Sequence, residues 1–310
     1  MSETAWIKAF GAYLPERVVT SAELAARLEV DPAWVLKASG IEERRFAAEN
    51  ESVVEMAVRA AQDCLAGAPA ELGMLIVASG TAERQFPGPA ASVACRLGLD
   101  STPALDLPLA SAGSLAGMVL ASALAPVRGP VLVIGAEKMS AVALRRPLNR
   151  DTAILFGDGA GACLISPEAG FARVVDSVLY TDGNFAESLR LGFGAPLEMD
   201  GRMVILQAAR KIPRAIQEVL GRNGWSAGQA QAFLMHQANL NLIVKVAQSL
   251  GVSETKFYTN IGRYGNTSSA SLLIAAAEWW REGRIEPGQP IVFSAFGAGF
   301  HWGALLAVPA

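Results

Sequence analysis

The chain has 310 residues, of which 52% are hydrophobic and only 18% are charged, and its formal net charge at pH 7 is −3. This composition excludes a disordered chain, and the slightly acidic balance gives no global reason to bind nucleic acid or an anionic membrane. The apolar content predicts a large buried core and self-association, since one monomer would struggle to hide so much apolar surface.

The cysteines and the N-terminus narrow the class of protein further. Cys64, Cys95 and Cys163 show no CxxC spacing, so neither a disulfide framework nor a zinc site is predicted, and we expect all three to be inert packed side chains. The N-terminus lacks the basic start and apolar run of a signal peptide, and every apolar run is shorter than a membrane span. We therefore expect a cytoplasmic protein with no metal and no resident cofactor.

The first half of the chain alternates short β-branched runs with longer helical patterns, which is typical of α/β proteins. An apolar stripe on residues 51–66 predicts an amphipathic helix. Residues 114–125 are apolar nearly all round and predict a helix buried in the interior. The strands predicted here, all buried, are 73–79, 104–109, 131–135 and, after a Gly-rich turn, 162–165.

The second half repeats this plan. Its predicted strands are 232–235, 256–260, 291–294 and 304–308, and its predicted helices are 240–250, which Gly251 ends, and the apolar 268–280. Strand 73–79 matches 232–235, helix 114–125 matches 268–280, and strand 131–135 matches 291–294. The sequence thus predicts two similar halves, 1–167 and 168–310, related by a pseudo-two-fold axis, each giving one buried helix.

Four motifs carry a family resemblance. They are residues 156–162 (FGDGAGA), 236–239 (HQAN), 265–271 (GNTSSAS) and 296–303 (FGAGFHWG). Their order and spacing resemble β-ketoacyl-[acyl carrier protein] synthase III over essentially the whole chain. The resemblance implies a thiolase fold with five αβαβα layers, a homodimer, and a Cys-His-Asn site below a pantetheine tunnel. Its substrate would be a thioester of coenzyme A or of an acyl carrier protein.

The resemblance also assigns site residues. It places the catalytic histidine at His236 and the asparagine at Asn266, and it implies an oxyanion hole formed by the backbone amides of Ser111 and Ala298. The family's nucleophilic cysteine falls on Ser111, in residues 106–113 (DLPLASAG), and none of the three cysteines can replace it.

Ser111 has three possible interpretations: a helix N-cap, a Cys→Ser substitution made to trap a complex, and a native nucleophile. A helix N-terminus stabilises an anion by about 0.3–1 kcal/mol, which is too little to ionise a hydroxyl. A serine nucleophile therefore needs a general base, and His236 is the only candidate that the motif offers. In the alternative interpretation, His236 is a structural histidine that is hydrogen-bonded to the backbone, and Asn266 only forms a turn.

Other positions are assigned by resemblance to substrate binding. Trp34 and Arg150 match residues that bind the adenine of coenzyme A between them. Phe86 matches a residue that forms the floor of the acyl pocket in the partner subunit. The alternatives are ordinary surface residues for the first two and a core aromatic for Phe86. His301 and Asp158 are predicted to be structural.

Five positions that are basic in the family are neutral here. They are Ala38, Leu206, Asn241, Gln248 and Ser249. Docking of an acidic carrier protein depends on such charges, so we expect weak docking and a specialised member of the family. The nearby Arg210, Lys211 and Arg214 either compensate or form a solvated helix face.

Three function classes remain from the sequence. The first is decarboxylative condensation with a malonyl thioester, in which His236 and Asn266 stabilise the enolate oxygen. The second is acyl transfer from a thioester to an alcohol or amine through Ser111. The third is a non-catalytic partner subunit of a heterodimeric ketosynthase. The retained HQAN and GNTS motifs weigh against the third, because an inactive subunit has no chemical need for them.

Overall fold

A computed structural model of the protein describes residues 4–66 and 71–310. The strands are β1 Trp6–Tyr13, β2 Arg17–Thr20, β3 Glu43–Phe46, β4 Met74–Ala78, β5 Ala104–Leu107, β6 Val131–Lys138, β7 Asp158–Ser166, β8 Ala172–Thr181, β9 Leu189–Leu191, β10 Leu197–Met199, β11 Ala232–Met235, β12 Ile291–Gly297 and β13 His301–Pro309. The α-helices are α1 Ser21–Leu28, α2 Pro32–Ser39, α3 Val53–Leu65, α4 Pro89–Arg96, α5 Gly113–Arg128, α6 Ser140–Ala143, α7 Arg150–Ala153, α8 Gly201–Arg222, α9 Leu240–Leu250, α10 Ile261–Tyr264 and α11 Ser271–Arg281. Within these ranges, none of the helices combines the length and apolar character that crossing a membrane requires.

The main sheet has the strand order β11-β12-β13-β8-β1-β7-β6-β4-β5. In the first half β6 pairs parallel to β4 and antiparallel to β7, and in the second half β12 pairs parallel to β11 and antiparallel to β13. Among the described strands of this sheet, the strands of the first half and those of the second half are joined by a short antiparallel pairing of β1 with β8. The predicted duplication is therefore confirmed in strand order, while the boundary after residue 167 stays a prediction.

The two apolar helices lie between the two halves of the sheet. α5 and α11 both contact strands from each half, while α3 covers the outer face of the first half and α8 that of the second. Leu115 and Met118 of α5 share one buried cluster with Leu272 and Leu273 of α11. A helix that is apolar all round needs burial on every side, and this middle layer provides it. The result is the predicted five-layer αβαβα arrangement.

Glycines in β7 allow the second central helix to pack on the strand backbone. A Cβ atom on Gly161 would lie 2.6 Å from the Leu273 Cβ and 2.8 Å from the Ile274 backbone nitrogen. β7 already begins at Asp158, so most of the segment predicted to be a Gly-rich turn is strand. The glycines serve close helix–strand contact there rather than a change of chain direction.

Two strand predictions were wrong in part or whole. Segment 104–109 is a strand only to Leu107, and Leu105 is exposed because β5 is the edge strand of the sheet. Segment 256–260 forms no strand: a single 3₁₀ turn ends at Lys256 and one isolated bridge joins Phe233 to Phe257. The Phe257 ring is buried against that of Phe233, with centroids 4.6 Å apart, which explains the apolar pattern without a strand.

The cysteines divide into two kinds. Cys64 and Cys163 are buried as predicted, and burial raises the pKa of the Cys64 thiol to about 12 and that of Cys163 well above its ordinary value. Such thiols are poor nucleophiles at neutral pH. Cys95 is exposed, so its predicted packing is wrong: it lies on the outer side of α4, whose buried side includes Val93 and Ala94.

Candidate active site

Ser111, His236 and Asn266 line one cavity, so the structure brings the three predicted residues together. Ser111 follows β5, His236 directly follows β11, and Asn266 precedes α11. β4 and β5 are parallel, as are β11 and β12, and ligand sites in α/β proteins form where parallel strands end. The apolar walls of the cavity include Leu155, Phe156, Met235, Leu242 and Phe296.

Ser111 stands in a turn of unusual backbone conformation. Its φ is 64°, in the left-handed region that non-glycine residues rarely adopt, and its relative exposure is 7%. The N-cap of α5 is Ala112, and no side chain caps this helix. The N-cap interpretation of Ser111 is therefore wrong, since its hydroxyl makes no hydrogen bond to the start of α5.

The Ser111 amide and hydroxyl both lie near Ser268. The Ser111 N–H donates to Ser268 Oγ at 3.0 Å, and the two Oγ atoms are 3.4 Å apart. This N–H can therefore bind an oxyanion only by exchanging a hydrogen bond that it already makes. Ala298, the other residue of the implied oxyanion hole, begins the turn after β12 and lines an adjoining cavity together with Ser111. The oxyanion hole stays a prediction.

Sequence reasoning missed a buried carboxylate beneath the site. Glu137, near the end of β6, is fully buried and accepts hydrogen bonds from Thr81 Oγ1 at 2.6 Å, the Gly80 N–H at 3.0 Å and Ser268 Oγ at 2.9 Å. Burial raises the pKa of Glu137 above its ordinary value, although the hydrogen bonds act in the opposite direction. The sequence feature that could have revealed Glu137 is an acidic residue directly after the apolar run VLVIGA.

His236 is buried and neutral, because burial lowers the pKa of its imidazole to about 4. Its Nδ1 lies 2.5 Å from the Oγ of Ser271, which also accepts the Gln237 N–H at 3.0 Å. Since the described residues offer the Ser271 hydroxyl no other acceptor, we assign its proton to Nδ1 and the imidazole proton to Nε2. In this tautomer His236 offers the cavity an N–H donor, which is the opposite of what a general base needs.

Asn266 offers a second donor. Its backbone is fixed on both sides, since its N–H donates to the Leu155 carbonyl at 2.9 Å and its carbonyl accepts the Gly157 N–H at 3.1 Å. The side-chain Oδ1 accepts the Ser268 N–H at 2.9 Å, so the NH₂ group is what it can present to the cavity. Two N–H donors in an apolar cavity are suited to binding a carbonyl or enolate oxygen.

The residues assigned to coenzyme binding lie on the surface. Trp34 on α2 and Arg150 on α7 are both exposed, and Val35 and Ala153 of the same helices share one apolar cluster. Phe86 is 85% exposed, so it is not the core aromatic of the alternative interpretation. The binding roles of all three stay predictions.

The two residues predicted to be structural make structural contacts. Asp158 accepts hydrogen bonds from the Ala47 N–H at 2.8 Å and from the Ser140 N–H at 2.7 Å, which joins two loops. His301 Nδ1 lies 2.8 Å from Thr181 Oγ1 across the β8–β13 pair.

One position that lacks a basic residue, and one nearby lysine, are engaged in other contacts. The Asn241 side chain donates to the Lys37 carbonyl at 3.0 Å and so ties α9 to α2. Lys211 pairs with Asp182 at 2.6 Å, and its Nζ lies 4.0 Å from the centroid of the Trp302 ring. It is thus neither part of a solvated face nor free to compensate, whereas Arg210 and Arg214 are exposed.

Comparison with known proteins identifies the family. Residues 105–183 match the model of 3-oxoacyl-[acyl-carrier-protein (ACP)] synthase III, and residues 220–308 match the model of its C-terminal part. The β-ketoacyl-[acyl-carrier-protein] synthase III of Rubrobacter xylanophilus is 38% identical, over 96% of each chain. The crystal structure of the Aquifex aeolicus synthase III superimposes with a TM-score of 0.93 at 33% identity, covering 98% of this chain and 99% of that one. The priming β-ketosynthase of the R1128 polyketide biosynthetic pathway gives a TM-score of 0.91 at 30% identity, covering 98% and 96%. The chain therefore belongs to the β-ketoacyl-[acyl-carrier-protein] synthase III family of acyltransferase-type condensing enzymes.

Proposed function

We propose that Ser111 is the native nucleophile of this condensing enzyme: it takes an acyl group from a thioester and passes it to a malonyl-type thioester. The observation that carries the proposal is the position of Ser111. It stands in a left-handed turn, caps no helix, and shares an apolar cavity with two N–H donors on His236 and Asn266. This arrangement supports an active catalytic site rather than a site that has lost its activity.

The proposed reaction has two steps. In the first, Ser111 Oγ attacks the thioester carbonyl, the C–S bond breaks, the hydroxyl proton ends on the leaving thiol, and an ester remains on Ser111. In the second, a malonyl thioester loses CO₂, and its enolate oxygen is bound by the N–H groups of His236 and Asn266. The enolate carbon attacks the ester carbonyl, the C–O bond to Ser111 breaks, Ser111 Oγ takes up one proton from water, and a β-ketoacyl thioester leaves.

We propose coenzyme A thioesters as the preferred acyl donors. The five neutral positions and the engaged Lys211 leave fewer cations for an acidic carrier protein, while Trp34 and Arg150 are exposed for a nucleotide. The similarity to a priming β-ketosynthase of a polyketide pathway supports a specialised role in fatty acid or polyketide synthesis.

Intact-mass analysis tests the proposal. The protein is incubated with a panel of acyl thioesters, each presented on coenzyme A and on an acyl carrier protein. We expect a one-acyl mass increase that peptide mapping assigns to Ser111, faster loading from coenzyme A, and slower removal by hydroxylamine than for a thioester. If no thioester of either kind loads the protein, the partner-subunit function replaces this one.

We also propose that the protein is a homodimer built on the exposed edge of the first half. Phe86 is 85% exposed, and the edge strand β5 exposes Leu105. An obligate dimer would bury more than about 2,000 Å² in total. Light scattering at micromolar concentration should give twice the 32.5 kDa of one chain. A monodisperse species of monomer mass would contradict the dimer.

A further inference from the structure

We propose that Glu137, acting through Ser268, is the positioning residue that orients the Ser111 hydroxyl and receives its proton when the ester forms. The inference rests on the proposed loading of Ser111. It gives the serine a carboxylate, which its motif does not contain.

The hydrogen-bond directions define a relay. Ser268 Oγ accepts the Ser111 N–H at 3.0 Å and donates its own proton to Glu137 Oε1 at 2.9 Å. With its proton committed to the carboxylate, Ser268 meets the Ser111 hydroxyl, 3.4 Å away, as an acceptor. Ser268 itself has a φ of 49°, a left-handed conformation that the hydrogen bond from its N–H to Asn266 helps to hold.

Glu137 is surrounded by donors. The Thr81 hydroxyl accepts the Lys138 N–H at 2.9 Å, so its proton points to Glu137 Oε2 at 2.6 Å. The N–H groups of Gly80 and Ser269 donate at 3.0 and 3.3 Å. A protonated carboxyl would need an acceptor, which the two N–H groups cannot be and which the Thr81 and Ser268 hydroxyls could be only by turning their own protons away. The arrangement therefore fits an ionised carboxylate, the form that can take up a proton.

Serine chemistry explains the need for such an acceptor. A cysteine thiol is a few per cent thiolate at neutral pH, whereas a serine hydroxyl must give up its proton as it attacks. His236 in its Nε2–H tautomer cannot take that proton. Among the described residues, the hydrogen-bonded chain that starts at Ser111 ends at Glu137.

The proton step balances. As the bond from Ser111 Oγ to the carbonyl carbon forms, the Ser111 proton moves to Ser268 Oγ and the Ser268 proton moves to Glu137 Oε1. The C–S bond then breaks, and the leaving thiolate takes a proton from Ser268 Oγ, which regains one from Glu137 Oε1. One thioester and one alcohol give one ester and one thiol, and Glu137 is again ionised.

The test is a double-mutant cycle on the acylation step. Glu137→Gln is measured in the parent and in the Ser111→Cys background, by single-turnover intact-mass kinetics over a range of acyl-coenzyme A concentrations. In the parent we expect the maximal acylation rate to fall by about 10²-fold or more, with little change in the half-saturating concentration. In the Ser111→Cys background the fall should be less than about 5-fold, because a thiolate needs no proton acceptor.

Two further variants complete the cycle. Ser268→Ala breaks the relay and keeps the carboxylate, so it should reproduce the serine-specific loss even if Glu137→Gln fails to fold. Asp158→Asn alters another buried carboxylate that accepts from a serine hydroxyl, and it should slow neither background selectively. Equal losses in both backgrounds, or full acylation of Glu137→Gln, would overturn the relay while Ser111 loading stands. A parent that is never acylated would overturn the proposed function itself.

Discussion

Ser111→Ala is expected to abolish acyl loading while a measurable decarboxylation of malonyl thioester remains. The substitution removes the only nucleophile of the proposed site, and the buried thiols of Cys64 and Cys163 cannot replace it. The donors on His236 and Asn266 do not depend on the Ser111 oxygen, so an enolate can still be stabilised. Intact mass reports the loading, and release of CO₂ reports the decarboxylation.

Ser122→Ala is the matched control for this variant. Ser122 lies on α5, downstream of Ser111, and its hydroxyl only donates to the Val119 carbonyl at 2.8 Å. We expect its loading to equal that of the parent. A stable acyl adduct on Ser111→Ala would contradict the proposal and direct attention to the exposed Cys95.

Gly297→Ala is expected to produce the second large effect, because the backbone that carries Ser111 lies directly against Gly297. An added Cβ would lie 2.0 Å from the Ala110 carbonyl oxygen and 2.8 Å from the Ala112 nitrogen, both backbone atoms that cannot turn away. Overpacking of this kind costs roughly 1–3 kcal/mol of unfolding free energy. A displacement of Ser111 by about 1 Å would lower acylation by about 10²-fold. Thermal unfolding and single-turnover acylation measure the two effects.

Gly221→Ala provides the comparison. Gly221 lies in α8, and a Cβ there meets no atom within 4 Å. Alanine favours a helix over glycine by about 1 kcal/mol, so this variant should be slightly stabilised and fully active. If Gly297→Ala behaves in the same way, the close contact with the Ser111 turn does not constrain the site.

The order of the elements could be predicted because each half repeats one alternation of strand and helix, and an all-apolar helix can only be buried. Burial of a single residue was harder to predict from periodicity. The apolar 104–109 run belongs to an edge strand, and the apolar residues near Phe257 reflect a ring stacked on Phe233. The apolar pattern alone therefore predicted neither the exposure of the edge strand nor the backbone conformation near Phe257.

The site shows the same limit. Ser111, His236 and Asn266 were found because each lies in a short motif. Glu137 and Ser268 are 131 residues apart in sequence, and they can form a hydrogen bond because the 3₁₀ turn at 268–270 lies against β6. The direction of the His236 hydrogen bond likewise depends on Ser271, which no motif-based argument had assigned to the site.

Because Gly135 has no side chain, the two halves of the chain are in direct contact at the active site. A Cβ on Gly135 would lie 2.3 Å from the Ser269 carbonyl oxygen, so the loop that carries Ser268 lies on the bare backbone of β6. Ser111 and Glu137 belong to the first half, while Ser268, His236 and Asn266 belong to the second. Any slippage of one half against the other therefore separates the nucleophile from its partners, even with both halves still folded. Catalytic alignment in this protein is a property of the fit between the halves, which neither half holds alone.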